Sequence, residues 1–341
     1  MVKEINLITI IALTISGIVG VTLAANGYAY WGIASQTIVF VSMITLLSYA
    51  FTNWHPTLHF SIKPIRNMIG FSSKLVVTNV FTIINQNLFA NLIGKFYSVS
   101  EVGNFSQANK WNQMGHTFVN SMLNGVAQPV FAKVDEDKER QLRVFRKLLR
   151  FTAFVSFPAM FGLSLVSREV IVIAITEKWL ASAYILSVLC IWGAFVPINN
   201  LFANLIITRG HSNIYMWSTI VLCLILLVAV IGSYPLGFDW MLWMFVGINI
   251  GWLLVWWWFV HREIGMRLLD MLRDISPYLF LSAALTIGCH YLLADINNIY
   301  VSLLLKVLIV SILYVAILWV TGSVILKESA GFLLGKGKKV N

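Results

Sequence analysis

Ten apolar stretches, each long enough to cross a bilayer, fill almost the whole chain: residues 5–24, 28–52, 71–94, 103–131, 148–172, 181–207, 214–234, 239–261, 275–294 and 299–326. A hydrocarbon core about 30 Å thick takes about 20 apolar residues in a helix. Lipid offers backbone groups no water to pair with, so spans of this length are expected as helices. They are too long and too uniformly apolar for the alternating strands of a membrane barrel. The expected fold class is an all-α polytopic membrane protein of about ten transmembrane helices. What lies between the spans is too short for a soluble domain. The first span lacks a basic leader and a small-residue cleavage site, so it reads as a span rather than a cleaved signal.

Apolar residues make up 59% of the chain and charged residues 11%, yet the net charge is +10. Such a balance can signal nucleic acid, but its distribution argues otherwise. When the gaps are sorted onto alternate sides, nineteen of the 24 Lys and Arg residues fall on one side. Lys95, Arg168 and Lys178 fall on the other, and Lys110 and Lys306 lie within spans. This is the positive-inside pattern. It places both termini in the cytoplasm, which requires an even number of spans. Nucleic acid is therefore not an expected partner. Membrane lipid is: the basic run in 132–150, KVDEDKERQLRVFRKLLR preceded by Ala132, reads as a cytoplasmic helix that meets anionic headgroups and leads into the next span. Segment 53–70 mixes aromatic, basic and Pro residues and reads as an interfacial linker. Trp240, Trp243, Trp256, Trp257 and Trp258 mark the ends of one span, as amphipathic rings do at headgroup level.

Signatures of bond-making chemistry are not found. The tail GFLLGKGKKV has Gly and Lys without phosphate-loop spacing. The cysteines, Cys190, Cys223 and Cys289, lie within spans without metal-ligand spacing. No cofactor, metal or catalytic residue is expected.

The polar residues at membrane depth carry more information. Asn112, His116, Asn120 and Asn124 recur every four residues in the fourth span, with Lys110 and Gln113 beside them. Residues four apart share a helix face. A column of amides facing lipid would leave its polar groups unpaired, so it is expected to face protein or water. The third span carries Gln86, Asn87 and Asn91, with Asn85 on another face. The sixth carries Asn199, Asn200 and Asn204 just after Pro197, a kinking residue. Amides both donate and accept, which suits a neutral, hydroxyl-rich ligand such as a sugar. These twelve residues form the expected substrate-binding set. The alternative for any one of them is interhelical hydrogen bonding, common in membrane bundles.

Four stretches resemble Wzx-type polysaccharide flippases, of the polysaccharide transporter family within the multidrug/oligosaccharidyl-lipid/polysaccharide exporter superfamily. They are LAANGYAYWGIASQ (23–36), IGKFYSVSEVGNFSQANKW (93–111), LVSREVIVIAITEKW (165–179) and PINNLFANLIITRGHSNIY (197–215). The family usually shows Gly where this chain has Thr176, and only a local change is expected there. The resemblance implies two six-helix lobes around a central cavity, plus two further helices. It implies export of lipid-linked oligosaccharide units (O-antigen, capsule or exopolysaccharide) across the bacterial inner membrane by alternating access, with no bond made or broken. The implied partners are a polyprenyl-pyrophosphate-linked oligosaccharide and the polysaccharide polymerase machinery.

Matched to that pattern, residues 1–52 would be the last two helices of a first lobe, and 53–70 the link between lobes. Residues 71–261 would be a six-helix second lobe, 262–326 the two further helices and 327–341 a basic cytoplasmic tail. The family's fourteen helices exceed ten, so the first four are expected to be missing from this chain. Rival classes are a related multidrug exporter, a membrane glycosyltransferase or polymerase, and a truncated remnant without activity. The first needs an acidic residue well inside a span. The second needs paired carboxylates on a sizeable outer loop, whereas Glu101, Glu169, Glu177, Asp239 and Asp295 lie singly or on short loops.

Overall fold

The computed structural model describes residues 2–51, 62–133, 138–293, 296, 298–323 and 325–326. The first half of the 53–70 linker and all of the 327–341 tail therefore lie outside the described residues. Among those described there is helix and turn but no strand.

Among the described residues, twelve α-helices run in chain order: α1 (Val2–Ala25), α2 (Ala29–Phe51), α3 (Ile62–Phe96), α4 (Val99–Lys133), α5 (Lys138–Leu165), α6 (Ser167–Ile175), α7 (Leu180–Gly193), α8 (Val196–Thr208), α9 (Ser212–Ser233), α10 (Phe238–Ile264), α11 (Leu268–Leu292) and α12 (Ile299–Val320). The protein is a multi-pass membrane protein. Nine of the ten expected spans coincide with helical segments long and apolar enough to cross a membrane, counted among the described residues. The tenth, 103–131, falls on α4, which has the length at 35 residues but not the apolarity. Its amides and His116 dilute the hydrophobic run.

Two spans differ from their expected form. The stretch 148–172 is not one helix: α5 starts at Lys138, within the basic segment, and stops at Leu165, and α6 begins at Ser167. The stretch 181–207 divides into α7 and α8 around Ala194 and Phe195. Pro197 sits in the first turn of α8, where its missing N–H is harmless. The Ala194 carbonyl at this break accepts a hydrogen bond from the buried Ser156 hydroxyl of α5 at 2.7 Å. A broken helix survives at membrane depth only when such neighbours pair the freed groups.

The helix ends follow local chemistry. Ser98 and Glu101 form a capping box on α4: the Ser98 N–H donates to Glu101 Oε2 at 2.8 Å, and the Glu101 N–H to Ser98 Oγ at 3.3 Å. Asn298 caps α12 by accepting from the Tyr300 and Val301 N–H groups. Gly265 closes α10 in the left-handed conformation that a side chain disfavours.

The chain forms two compact units, Met1–Asn67 and Met68–Asn341. In the first, α1 and α2 make a close hairpin. A Cβ on Gly32 would stand 3.0 Å from the Gly20 carbonyl, and one on Gly20 3.1 Å from Gln36 Oε1. Small residues of this kind let helix backbones approach within a membrane.

In the second unit α4 packs on α7 and α8, α5 on α7 and α11, and α10 on α8 and α9. Phe89, Phe105, Phe145, Phe157, Met160, Leu186, Leu189 and Phe202 are fully or almost fully buried at its centre. Charged ties bind α11 and α12 to this body. Arg146 of α5 makes a bidentate pair with Asp274 of α11 (2.7 and 3.1 Å) and meets Asp270 at 3.1 Å. Glu169 of α6 receives both the Ser302 hydroxyl (2.7 Å) and the Lys306 ammonium of α12. Glu169 is thus no exposed outer carboxylate, and Lys306 does not reach for an interface: they are 4% and 9% exposed.

Candidate functional site

The split between α7 and α8 opens a cavity of about 190 Å³ within the second unit. Six helices wall it. Thr82 and Asn85 come from α3, and Phe105, Asn109 and Gln113 from α4. Trp192 stands near the end of α7, followed by Val196, Asn199, Asn200 and Ala203 beyond the break. Tyr215, Thr219 and Leu222 of α9 and Phe245, Asn249, Trp252 and Trp256 of α10 complete it. Amides and aromatic rings dominate, and no ionisable residue other than Tyr215 is present in the described lining.

The wall is held from behind. Trp252 donates its indole N–H to Ser218 Oγ at 3.0 Å. Asn249 donates its amide to the Phe245 carbonyl at 2.8 Å, within its own helix. The Tyr215 ring lies 5.9 Å from that of Trp256. Trp192 and Phe245 meet edge to face at 5.3 Å. Against this fixed frame, Asn85 Oδ1 and Asn199 Oδ1 are buried without a hydrogen-bond partner. Buried polar atoms without a partner are rare in folded proteins and each requires an explanation. Here both belong to residues that line the cavity.

The twelve residues expected from the sequence separate into several environments. Gln113, Asn199 and Asn200 line the cavity. Asn120 stands beside it, accepting from the Asn200 amide at 3.1 Å. Asn112 is fully buried where α4 meets α7, with both amide atoms lacking partners. A Cβ on Gly193 would lie 2.2 Å from Asn112 Oδ1, so only glycine fits opposite it. His116 lies one turn on, 6.4 Å from the Trp192 ring, with Nδ1 buried and unpaired. Asn204 is half-buried. Asn87, Asn91 and Lys110 are exposed, and Asn87 turns back to the Ile83 carbonyl at 2.8 Å. The side chains of Gln86 and Asn124 lie outside the described residues.

Other lining residues were not in the expected set. Asn85 was set aside as lying on a different face of its span. Asn109 and Asn249 carried a usable signal, as amides inside spans. Trp256 was assigned to the aromatic belt, and nothing in the sequence marks the mid-span Trp192 and Trp252 as lining residues.

The chain resembles known proteins along most of its length. Residues 1–184, just over half the chain, match the family model described as polysaccharide biosynthesis protein. The lipopolysaccharide biosynthesis protein WzxC of Escherichia coli K12 is 25% identical over 59% of this chain and 40% of its own length. The teichuronic acid biosynthesis protein TuaB of Bacillus subtilis is 27% identical over 50% and 36%, respectively. The succinoglycan biosynthesis transport protein ExoT of Rhizobium meliloti is 22% identical over 94% of this chain and 66% of its own. The chain thus spans from about a third to two thirds of the length of these relatives. Among solved structures, the inward closed conformation of the lipid II flippase MurJ superposes with a TM-score of 0.68 at 16% identity, over 89% of this chain and 65% of that one. That likeness is one of fold. By the match over residues 1–184, the chain belongs to the polysaccharide biosynthesis protein family.

Proposed function

We propose that this protein is a flippase that carries polyprenyl-pyrophosphate-linked oligosaccharide units across the bacterial inner membrane for assembly of a surface polysaccharide. Family membership and the transport function named for ExoT support this reading, as does the fold shared with a lipid II flippase. The observation that carries it is the cavity at the α7–α8 break, where amides and aromatic rings converge at membrane depth without a charged side chain. Discontinuous helices near the bilayer midplane are where transporter sites form. On this reading residues 71–261 act as one lobe of an alternating-access carrier, and 262–326 as two helices appended to it. The residues bind and reorient a substrate and make or break no bond. The charge asymmetry between the two faces puts both termini in the cytoplasm. The polysaccharide polymerase machinery is the partner that would take the exported unit.

The test is made in a strain that lacks its own flippase and carries the glycan-assembly genes that accompany this one. Expression of the whole reading frame that contains the chain should restore surface polysaccharide and clear lipid-linked units from the cytoplasmic leaflet. Reporters fused after residues 95 and 150 should read outside and inside. Continued accumulation, with the protein present in the membrane, would contradict the proposal.

A further inference from the structure

Building on that reading, we infer that the cavity between α3, α4, α8 and α10 is a subsite for a single uncharged sugar ring, and that the acidic pyrophosphate of the ligand is held elsewhere. Size sets the first limit. At about 190 Å³ the cavity is smaller than the roughly 300–1,000 Å³ of pockets that enclose drug-sized ligands. It has room for several waters or for one ring, not for an oligosaccharide with its carrier.

The polar atoms set the second limit. Asn85 Oδ1 and Asn199 Oδ1 are buried and unpaired, and both are acceptors. Asn249 has one amide N–H committed to the Phe245 carbonyl, which leaves its oxygen and its second N–H. Acceptor oxygens on three of the lining residues favour a ligand that donates. Sugar hydroxyls donate; a carboxylate or a phosphate diester only accepts. An anion would face these oxygens with no cation in the described lining, and an unpaired buried charge is strongly disfavoured. Lys110 does not meet that need, because it is exposed and not among the lining residues.

The rings supply the rest. With its N–H bound to Ser218, Trp252 has carbon surface to offer the cavity. The C–H face of a pyranose packs on such a surface while its equatorial hydroxyls reach the amides around the rim. Amides and aromatics together thus fit both faces of one neutral ring.

The full chain in lipid nanodiscs is probed by saturation-transfer NMR with two small glycosides, methyl glucopyranoside and methyl glucuronopyranoside. The neutral glycoside should receive saturation at least fivefold more strongly than the acid. Asn199→Leu should reduce that signal about fivefold, because a sugar hydroxyl loses its acceptor. Asn200→Lys, at a partly exposed position that tolerates a long side chain, should shift the preference toward the acid. Equal or stronger saturation of the acid by the parent chain would overturn the inference. So would a neutral signal indifferent to Asn199→Leu, or no signal from either glycoside at millimolar concentration. Export that proceeds normally alongside such a result would overturn the subsite alone. Absence of export would overturn the flippase reading on which it rests.

Discussion

Thr176 stands where the flippase pattern leads one to expect glycine, and its backbone shows what that glycine would do. Its φ is 79° and its ψ 164°, and it is the one non-glycine at positive φ among the described residues. That region is essentially reserved for glycine and costs another residue about 1–3 kcal/mol. Glycine brings its own penalty of about 0.5–1 kcal/mol in chain entropy, so the strain term wins. Thr176→Gly is therefore expected to stabilise the protein by about 1 kcal/mol and raise its thermal midpoint in detergent. An unchanged or lower midpoint would show that the turn before Glu177 is relaxed as it stands.

The same scale shows how far side-chain roles could be read in advance. The four-residue spacing of Asn112, His116 and Asn120 correctly put them on one side of α4. Spacing says nothing about which neighbour that side meets. The answer came from Gly193, whose missing side chain leaves room for Asn112 in the α4–α7 contact. The residues at 109 and 113, about a quarter turn round from 112, reach the cavity instead.

At the scale of helices, breaks are legible where the chain carries a chemical reason for them. Pro197 marked a kink in the span that divides into α7 and α8, though not the division itself. The division between α5 and α6 passes through Leu165, Val166 and Ser167, which carry no breaking residue, and sequence reading ran straight through it. α6 is tied to α12 through Glu169. A helix that ends at 165 brings Glu169 within reach of Ser302 and Lys306. This long-range pairing could not be read from local pattern.

The pair gives a prediction for the element. Removing one partner of a buried ion pair strands the other, at about 3–5 kcal/mol. Lys306→Met should lower the thermal midpoint sharply, and Glu169→Gln should do the same. The double variant should recover most of the loss, because neither charge is left unpaired. Single variants that cost no more than an exposed pair, about 0–1 kcal/mol, would mean that α12 is fixed to the body by apolar contacts and by the Tyr314 hydroxyl on the Phe154 carbonyl.

At the scale of the whole molecule, the fold class was the most legible property because the bilayer imposes it. Spans of fixed length and a one-sided charge distribution follow from solvent physics alone. The cavity was less legible because it is assembled from six helices, each contributing one to four residues. Its central claim is that water and substrate, not lipid or packed protein, meet Gln113 and Asn199. Cysteine placed singly at these positions tests this directly, in a background with Cys190, Cys223 and Cys289 replaced by alanine. Val228 and Ile312, which are 68% and 63% exposed on apolar helices, serve as lipid-facing controls. The account predicts that Gln113→Cys and Asn199→Cys react with a membrane-impermeant thiol reagent at least tenfold faster than either control. Labelling of both cavity positions at the slow rate of Val228→Cys and Ile312→Cys would contradict it.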